Sequence, residues 1–505
     1  MLRAGNARVG AALSQHRVRG VLPRVVTVVA VIAASLLVLW PLVSRLVAFA
    51  SLSASILRYP WVVDAAESVN IQSAFTLSQG HDPYGSDPRG FVAAPYPPVY
   101  LVLSGLWLRI GGLSLLGGRV ISLVATLVVA ALAGYLVARE TGGWAAGVLT
   151  GVLTGVLFLV CGPTIVWATF YRQDLLALAF GLGGLAWLAR WPDGRRAYGA
   201  IVLFVLAVYT KQTALAAPVA GCLYLLWRDR RSGLRFGVAC AAALALPIVP
   251  LDLLTRHGFW RQVISDHALW QLASFQKFLT RLGSYHLFLL VLAALGLLAL
   301  LRSRRPSLLA VYAPLGFATV IGSGAVGANN NHLLEPLLAC ALLVGVCVGY
   351  CGVRWQQPRY AVALVGALLL VAVQVPRMGP VAAWYDTTLL PSPTRAERLV
   401  QVTEMIRQAD GEILTDDSFL LLRAGKQGAY QNVPMLGALA SAGRWDEANL
   451  INDLATRRFA LVVIDTDVTR ADLTGVSWSP AVLAALRHHY RLLYRDILFT
   501  YVAQR

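Results

Sequence analysis

The stretch WVVDAAES, residues 61–68, follows the first long apolar run of the chain and places Asp64 and Glu67 beside it. Only 13% of the 505 residues are charged, whereas 57% are hydrophobic, so two carboxylates at such a place need an explanation. In a helix, the i, i+3 spacing puts both side chains on one face. Two interpretations stay open: a solvated face of an amphipathic surface helix, or a carboxylate pair that faces a cavity.

Repeated apolar runs define the class of protein. The mean hydropathy is +0.64, and many uncharged runs approach the roughly 20 residues that a helix needs to cross a bilayer. The net charge is +18, but the basic residues cluster in short loops between apolar runs, as the positive-inside rule predicts. The sequence therefore predicts a polytopic α-helical membrane protein, and we expect no nucleic-acid partner.

Basic loops indicate how many of the twelve apolar runs cross the membrane. The arginine-rich loops should share the cytoplasmic side with the basic N-terminus, residues 1–24; they are Arg139, 190–196, 228–235, 302–305 and 353–359. They share that side only if the run 97–112, which opens with two prolines and carries Arg109, lies at the outer interface without crossing. We therefore expect about eleven spans within residues 25–376 of a cell-membrane protein.

The remaining regions should face outward. They are two loops, 51–119 and 252–286, and the tail, residues 377–505. Within the tail, ILTDD (413–417) and FALVVIDTD (459–467) have the pattern of short buried strands, helical patterns surround them, and the C-terminal DILFTYVAQR predicts a closing strand. These elements predict a small extracytoplasmic α/β domain.

Ionisable residues near the predicted outer helix ends are candidates for chemistry. Lys211 lies at the tip of a hairpin whose arms have about 14–16 residues, or about 21–24 Å, which is less than the roughly 30 Å of the hydrocarbon core. Lys211 should therefore be recessed, and Asp174, next to Arg172 in FYRQD, should be recessed as well. Such residues are costly at membrane depth and so suggest a function. A structural Lys211–Asp174 pair is the alternative.

Other polar residues of the same face have two interpretations each. The segment HDPYG, with His81, Asp82 and Tyr84, is either a proline-containing turn or part of a pocket lining. His332 and Glu335, spaced i, i+3 at the start of a helix, are either capping and pairing residues or two ligands of a metal ion.

Three motifs follow one another along the chain: the acidic motif of Asp64, the Tyr-Pro-Pro sequence that starts at Tyr96 before an interfacial helix, and the R-x-D motif of Arg172 and Asp174. Their order and topology resemble the C-type membrane glycosyltransferases, most of all the protein O-mannosyltransferase and aminoarabinose transferase branch. The resemblance covers about residues 25–375 and does not include the tail. ANNNHLLEP, residues 328–336, also resembles an outer-loop segment of bacterial relatives.

The resemblance implies a reaction and a role for each residue. Such enzymes move a sugar, with inversion, from a polyprenyl-phosphate donor to an acceptor on the outer face. Asp64 would be the general base on the acceptor hydroxyl. Asp174 matches the second acidic position, and Glu67 is a candidate helper, although relatives often have adjacent Asp-Glu where two alanines intervene here. Lys211 and, second, Arg172 would stabilise the leaving phosphate.

Several properties stay open at this point. Family members differ in metal dependence, so a divalent metal is neither expected nor excluded. The sequence names neither the sugar nor the acceptor, which could be a protein, a lipid or a polysaccharide. The alternative function is a transporter or flippase of a lipid-linked saccharide, but the sequence has no internal repeat with paired broken helices, which many such transporters show.

Overall fold

The computed structural model describes residues 2–85, 94–265, 270–325, 327–428, 430, 436–437, 439–440, 443–470 and 478–504. Residues 86–93 and 266–269, which belong to the two predicted outer loops, lie outside the described residues.

Helices occupy most of the chain up to residue 377, because the backbone of an apolar segment in a membrane has to satisfy its hydrogen bonds within the segment itself. They are α1 (Leu2–Arg58), α2 (Ala65–Ser78), α3 (Pro98–Gly111), α4 (Leu116–Thr141), α5 (Trp144–Val160), α6 (Gly162–Trp167), α7 (Asp174–Arg190), α8 (Gly199–Thr210), α9 (Ala216–Arg228), α10 (Arg230–Ala245), α11 (Ile248–Leu254), α12 (Leu272–Arg302), α13 (Leu308–Ala318), α14 (Leu334–Val353) and α15 (Pro358–Arg377).

Six described helical segments are long and apolar enough to cross a membrane: Val25–Arg58, Leu116–Thr141, Arg230–Leu254, Leu272–Arg302, Asn330–Val353 and Pro358–Arg377. Shorter apolar helices accompany them, among them α3, which corresponds to the run predicted not to cross. With 14 residues, α3 is about 21 Å long. The predicted class of polytopic helical membrane protein is confirmed, whereas the number of eleven spans stays a prediction.

Polar contacts join the helix ends that carry the predicted basic loops. At one end, the Arg228 guanidinium of α9 lies 3.1 Å from the Asp193 carboxylate that follows α7. At the C-terminal end of α4, Glu140 accepts hydrogen bonds from Ser307, before α13, and from Tyr350, late in α14, at 3.0 and 3.2 Å. The predicted basic loops therefore lie at helix ends opposite to those that carry Asp174 and Lys211.

The tail contains a four-stranded sheet in the order β1-β2-β4-β3, with β1 and β2 parallel and the other pairs antiparallel. Its strands are β1 (Glu412–Thr415), β2 (Phe459–Ile464), β3 (Tyr490–Arg495) and β4 (Phe499–Ala503), and its helices include α16 (Pro393–Gln408), α17 (Ser418–Ala424), α18 (Ala448–Ala455) and α19 (Pro480–His489). The strands predicted in ILTDD, in FALVVIDTD and at the C-terminus are confirmed. Strand β3 was not predicted.

Side chains alternate between two cores along the central strands, as the two-residue period of a strand requires. Leu414, Val462 and Ile464 pack in the tail's own core. Leu461 and Val463, which alternate with them, pack in the large core that continues into the helix bundle. The tail is therefore a part of the same folded body as the helices.

A buried ion pair fixes the start of α4 against the chain between α1 and α2. Arg119 and Glu67 are both 0% exposed, and Arg119 Nη2 lies 2.8 Å from Glu67 Oε2. The same guanidinium donates to the carbonyls of Ile56, Tyr59 and Trp61 at 2.6–2.7 Å. Every polar group of the pair thus has a partner, and the charges offset each other's desolvation.

We expect the Arg119→Met variant to lose about 3–5 kcal/mol of unfolding free energy, because it leaves the Glu67 carboxylate buried without a counter-charge. Denaturant unfolding of the purified protein in detergent, followed by tryptophan fluorescence, would measure this loss. The matched control is Arg109→Met on the exposed face of α3, where a change within about 0.5 kcal/mol is expected. Equal stability of the two variants would contradict the structural importance of the pair.

Candidate functional site

The loop between α6 and α7, residues 168–173, is held by side chains of two helices, α2 and α4. Ser122 of α4 donates to the Arg172 carbonyl at 2.8 Å. Asn70 of α2 donates to the Tyr171 carbonyl at 3.0 Å, and the Tyr171 amide donates to Glu67 Oε1 at 2.7 Å. The backbone that carries Arg172 is consequently fixed from several sides.

Arg172 joins the two acidic motifs that are more than one hundred residues apart in the chain. Its Nη1 lies 3.0 Å from Asp64 Oδ1, and its Nε lies 3.1 Å from Asp174 Oδ2. The guanidinium also lies over the Trp167 ring, 4.9 Å from the centroid. Arg172 is largely buried, and a cation stacked and paired in this way is held in one orientation.

Asp174 gathers the remaining polar groups of the site. Its Oδ1 accepts from Lys211 Nζ at 2.7 Å and from Asn331 Nδ2 at 2.8 Å. The side chain of Lys211 is 17% exposed, and that of Asp174 is 5% exposed. The structural pair considered for Lys211 and Asp174 is present, and both residues also line a cavity.

Asp64 begins α2 as its N-cap residue. Its Oδ1 accepts from the Ala66 amide at 3.0 Å and from Arg172. Within the described part of the chain, Oδ2 accepts no hydrogen bond. Burial raises the pKa of the Asp64 carboxyl above its ordinary value, while the Arg172 guanidinium opposes this shift. A largely buried carboxylate with one oxygen that has no hydrogen-bond donor can accept a proton from a neighbouring hydroxyl.

A cavity of about 220 Å³ lies next to this network. Four of the residues predicted to carry function contribute to its wall: Asp174, Lys211, His332 and Glu335. Glu335 accepts a hydrogen bond from Tyr312 at 3.1 Å. The cavity therefore combines cationic and acidic groups with apolar side chains of α7, α13 and α14.

The segment HDPYG lies in a turn. His81 and Asp82 are exposed, and Asp82 Oδ1 accepts from the Tyr84 amide at 2.8 Å, which is the hydrogen bond of an Asx turn. Tyr84 is buried and donates from its hydroxyl to the Tyr96 carbonyl at 2.8 Å. Tyr96 itself is half-buried and is not among the residues that line the cavity. This segment thus supports Tyr96, and none of its described residues lines the cavity.

Glu67 has a different environment from Asp64. Its two oxygens accept four hydrogen bonds, from the Arg119 side chain twice and from the Val63 and Tyr171 amides at 2.8 and 2.7 Å. The side chain is fully buried and does not reach the cavity. Asp64 and Glu67 therefore do not share one helix face: Asp64 caps α2 and joins the network of Arg172, whereas Glu67 lies in the protein interior with Arg119.

Several residues of the site were not predicted. Asn331 lies within the quoted ANNNHLLEP, and a third consecutive asparagine before an apolar helix was the available signal. Arg119 lies at the start of an apolar run, which could have marked it as a buried cation. Tyr385 and Arg395, which contact the segment before Asp64, have no motif around them that could have indicated their position.

Among the described residues, no group of three or more His, Cys, Asp or Glu side chains is arranged to hold a metal ion. His332 and Glu335, the pair considered as ligands, lie in the cavity wall, where Glu335 is bound by Tyr312.

Comparison with known proteins finds similarity in the fold and none in the sequence searches. No protein-family model and no curated protein sequence matches the chain. ArnT from Cupriavidus metallidurans in the apo state is similar, with 17% identity, a TM-score of 0.56, and coverage of 93% of this chain and 98% of that one. The same protein bound to undecaprenyl phosphate matches with 15% identity, a TM-score of 0.58, and coverage of 92% and 97%.

A third structure extends the likeness to a larger protein. The oligosaccharyltransferase of Archaeoglobus fulgidus, in complex with Zn and sulfate, matches with 14% identity and a TM-score of 0.50 over 94% of this chain and 73% of that one. The helix bundle and the tail lie together within these matches, because each covers more than nine-tenths of the chain. The chain has the fold of the C-type membrane glycosyltransferases.

Proposed function

We propose that this protein is an inverting membrane glycosyltransferase, which moves a sugar from a polyprenyl-phosphate donor to an acceptor on the outer face of the cell membrane. The observation that carries the proposal is the network in which Arg172 connects Asp64 with Asp174, and Asp174 connects with Lys211, at the edge of the cavity. The network brings Asp64, which can accept a proton, close to two cations, Arg172 and Lys211.

The distribution of basic residues supports the proposed sidedness. The ends of α7, α9 and α12 carry arginines, whereas the opposite ends of α7 and α8 carry the site. The positive-inside rule assigns the arginine-rich ends to the cytoplasm. With eleven crossings, formed by α1, α4, α5, α7–α10 and α12–α15, the N-terminus is cytoplasmic and the site and the tail are extracytoplasmic.

Helix lengths suit a donor that is partly in the bilayer. Helix α8 has 12 residues and α9 has 13, or about 18 and 20 Å. Both are shorter than the roughly 30 Å hydrocarbon core, so Lys211, between them, is recessed below the membrane surface. A polyprenyl chain can then lie among lipids while its phosphate reaches Lys211. The similar protein ArnT was solved bound to undecaprenyl phosphate, which supports this class of donor.

The proposed reaction assigns a role to each charged group. The acceptor hydroxyl loses its proton to Asp64 as its oxygen attacks the anomeric carbon of the donor sugar. The bond between that carbon and the phosphate oxygen breaks, and its electron pair stays on the polyprenyl phosphate. Lys211 and Arg172 stabilise the negative charge that develops there. Asp174 holds both cations, and Glu67 with Arg119 positions the backbone.

We expect Asp64→Asn to lower donor turnover about a hundredfold or more, because general bases contribute about 10²–10⁴ to a rate. Purified variants would be incubated with a panel of short-chain polyprenyl-phosphate sugars and a membrane extract that supplies the acceptor, with free polyprenyl phosphate and labelled product as the readout. Asp193→Asn, at the opposite end of the bundle, is the matched control and should retain wild-type turnover.

Undiminished turnover in Asp64→Asn would disprove the role of Asp64 as the base. If wild type turned over no donor but bound a lipid-linked saccharide, the transporter or flippase function would replace the glycosyltransferase proposal.

The pH dependence of kcat should report the same carboxyl. Asp64 must be ionised to accept a proton, and burial raises its pKa. Turnover should therefore rise with pH through a midpoint above the ordinary carboxyl value of about 3.9. The profile of kcat against pH in the wild type would measure it. The residual activity of Asp64→Asn should lack this limb, and an unchanged limb would assign it to another group.

We expect Lys211→Met to bind undecaprenyl phosphate roughly tenfold to a hundredfold more weakly, since a hydrogen bond to a charged group contributes about 1.5–3 kcal/mol. Binding to detergent-solubilised protein would be measured by microscale thermophoresis. Lys277→Met, an exposed lysine of α12, is the control and should bind like wild type. Equal affinities of the two variants would remove Lys211 from the phosphate site.

A further inference from the structure

The segment between α1 and α2, residues 59–64, ends at Asp64. Side chains from other parts of the protein hold it by hydrogen bonds to its backbone. From the helix bundle, Arg119 donates to the carbonyls of Tyr59 and Trp61 at 2.6 and 2.7 Å. Glu67 accepts from the Val63 amide at 2.8 Å. These bonds fix one side of the segment.

The tail fixes the other side, at the two residues nearest to Asp64. The Tyr385 hydroxyl donates to the Val63 carbonyl. Arg395 Nη1 donates to the Val62 carbonyl at 3.0 Å and to the Leu389 carbonyl, also at 3.0 Å. Both carbonyls that precede Asp64 in the chain are therefore bound by side chains of the tail.

A further contact lies just after Asp64. Ser68, in the first turn of α2, donates to Asp417 Oδ1 at 2.7 Å and accepts from the Phe419 amide at 2.9 Å. The Trp61 ring packs edge-on against Phe419, with centroids 6.4 Å apart. The tail thus contacts the chain on both sides of Asp64.

Tyr385 is also packed against the support of Arg172. Its ring makes edge contacts with Trp167 and Phe170, with centroids 6.0 and 5.2 Å away. Trp167 is the ring over which the Arg172 guanidinium lies. Tyr385 therefore contacts both the backbone that precedes Asp64 and the Trp167 ring that supports Arg172.

We infer that Tyr385 and Arg395 are positioning residues, through which the tail sets the place of Asp64 relative to Arg172 and the cavity. This inference rests on the proposed function. Neither side chain has a hydrogen bond to the Asp64 carboxylate in the described part of the chain, so both act through the backbone. Misplacement of a reacting group by about 1 Å can lower a rate by about 10², and hydrogen bonds at the two preceding carbonyls limit such movement.

A positioning role differs in kinetics from a purely structural one. If the tail sets the geometry of the base, loss of one hydrogen bond should lower kcat and leave the KM for the donor nearly unchanged, since Lys211 and the cavity are untouched. If the contact only attaches the tail, loss of the bond should lower stability and leave the kcat of the folded fraction unchanged.

The test compares Tyr385→Phe with Tyr430→Phe in the full-length protein. Tyr385→Phe keeps the ring among Trp167 and Phe170 and removes only the hydroxyl. Tyr430→Phe also removes a hydroxyl from a buried tyrosine, and this hydroxyl donates to Asp453 at 2.9 Å in the tail's own core. Donor kcat and KM, with the thermal midpoint of each variant, are measured in the polyprenyl-phosphate assay.

We expect Tyr385→Phe to lower kcat by about tenfold, with the donor KM within about twofold of wild type, and Tyr430→Phe to keep the wild-type kcat. A kcat of Tyr385→Phe equal to that of wild type would overturn the inference, as would equal losses in both variants. Should Tyr385→Phe not fold, Arg395→Gln decides by the same criteria. Absence of turnover in wild type would instead disprove the proposed function, and this inference with it.

Discussion

The buried pair of Arg119 and Glu67 is the interaction on which the rest of the site depends. It lies where α1, α2, α4 and the loop before α7 meet, and its two side chains bind the backbone of α1, of the segment between α1 and α2, and of the loop before α7. Two charges without exposure to water would be unfavourable if any of their polar atoms lacked a partner. The pair therefore requires the surrounding backbone to adopt one arrangement, and that arrangement places Asp64 opposite Arg172.

The network at the cavity is neutral although it contains two cations. Asp64 and Asp174 face Arg172 and Lys211, so the formal charges of the four side chains sum to zero. An anionic ligand that enters has to share these cations with carboxylates already in place. Such competition favours a ligand whose charge is moderate at first and grows during reaction, which is the situation of a phosphate ester that becomes a leaving group.

The sequence predicted the parts of the site that follow from membrane burial and missed the parts that depend on tertiary contacts. Short helices led to the expectation that Asp174 and Lys211 are recessed, and the structure joins the two residues with little exposure. The strands of the tail could be placed from their apolar pattern. Asp64 and Glu67 looked equivalent by spacing, but one joins the ion network and the other lies inside the protein. Tyr385 and Arg395 lie more than 300 residues from the backbone they bind, and no local pattern encodes such a contact.

The sheet of the tail packs against the helices with one face and against the tail's own core with the other, which limits how the tail can be exchanged in evolution. Leu461 and Val463 belong to the core shared with the helices, while their neighbours Val462 and Ile464 belong to the tail alone. A domain with a polar inner face could be exchanged between relatives as a unit. The tail of this protein would instead expose an apolar surface if it were joined to another helix bundle. Such a recombinant should fail to fold unless the helix surface that packs against Leu461 and Val463 is inherited with the tail.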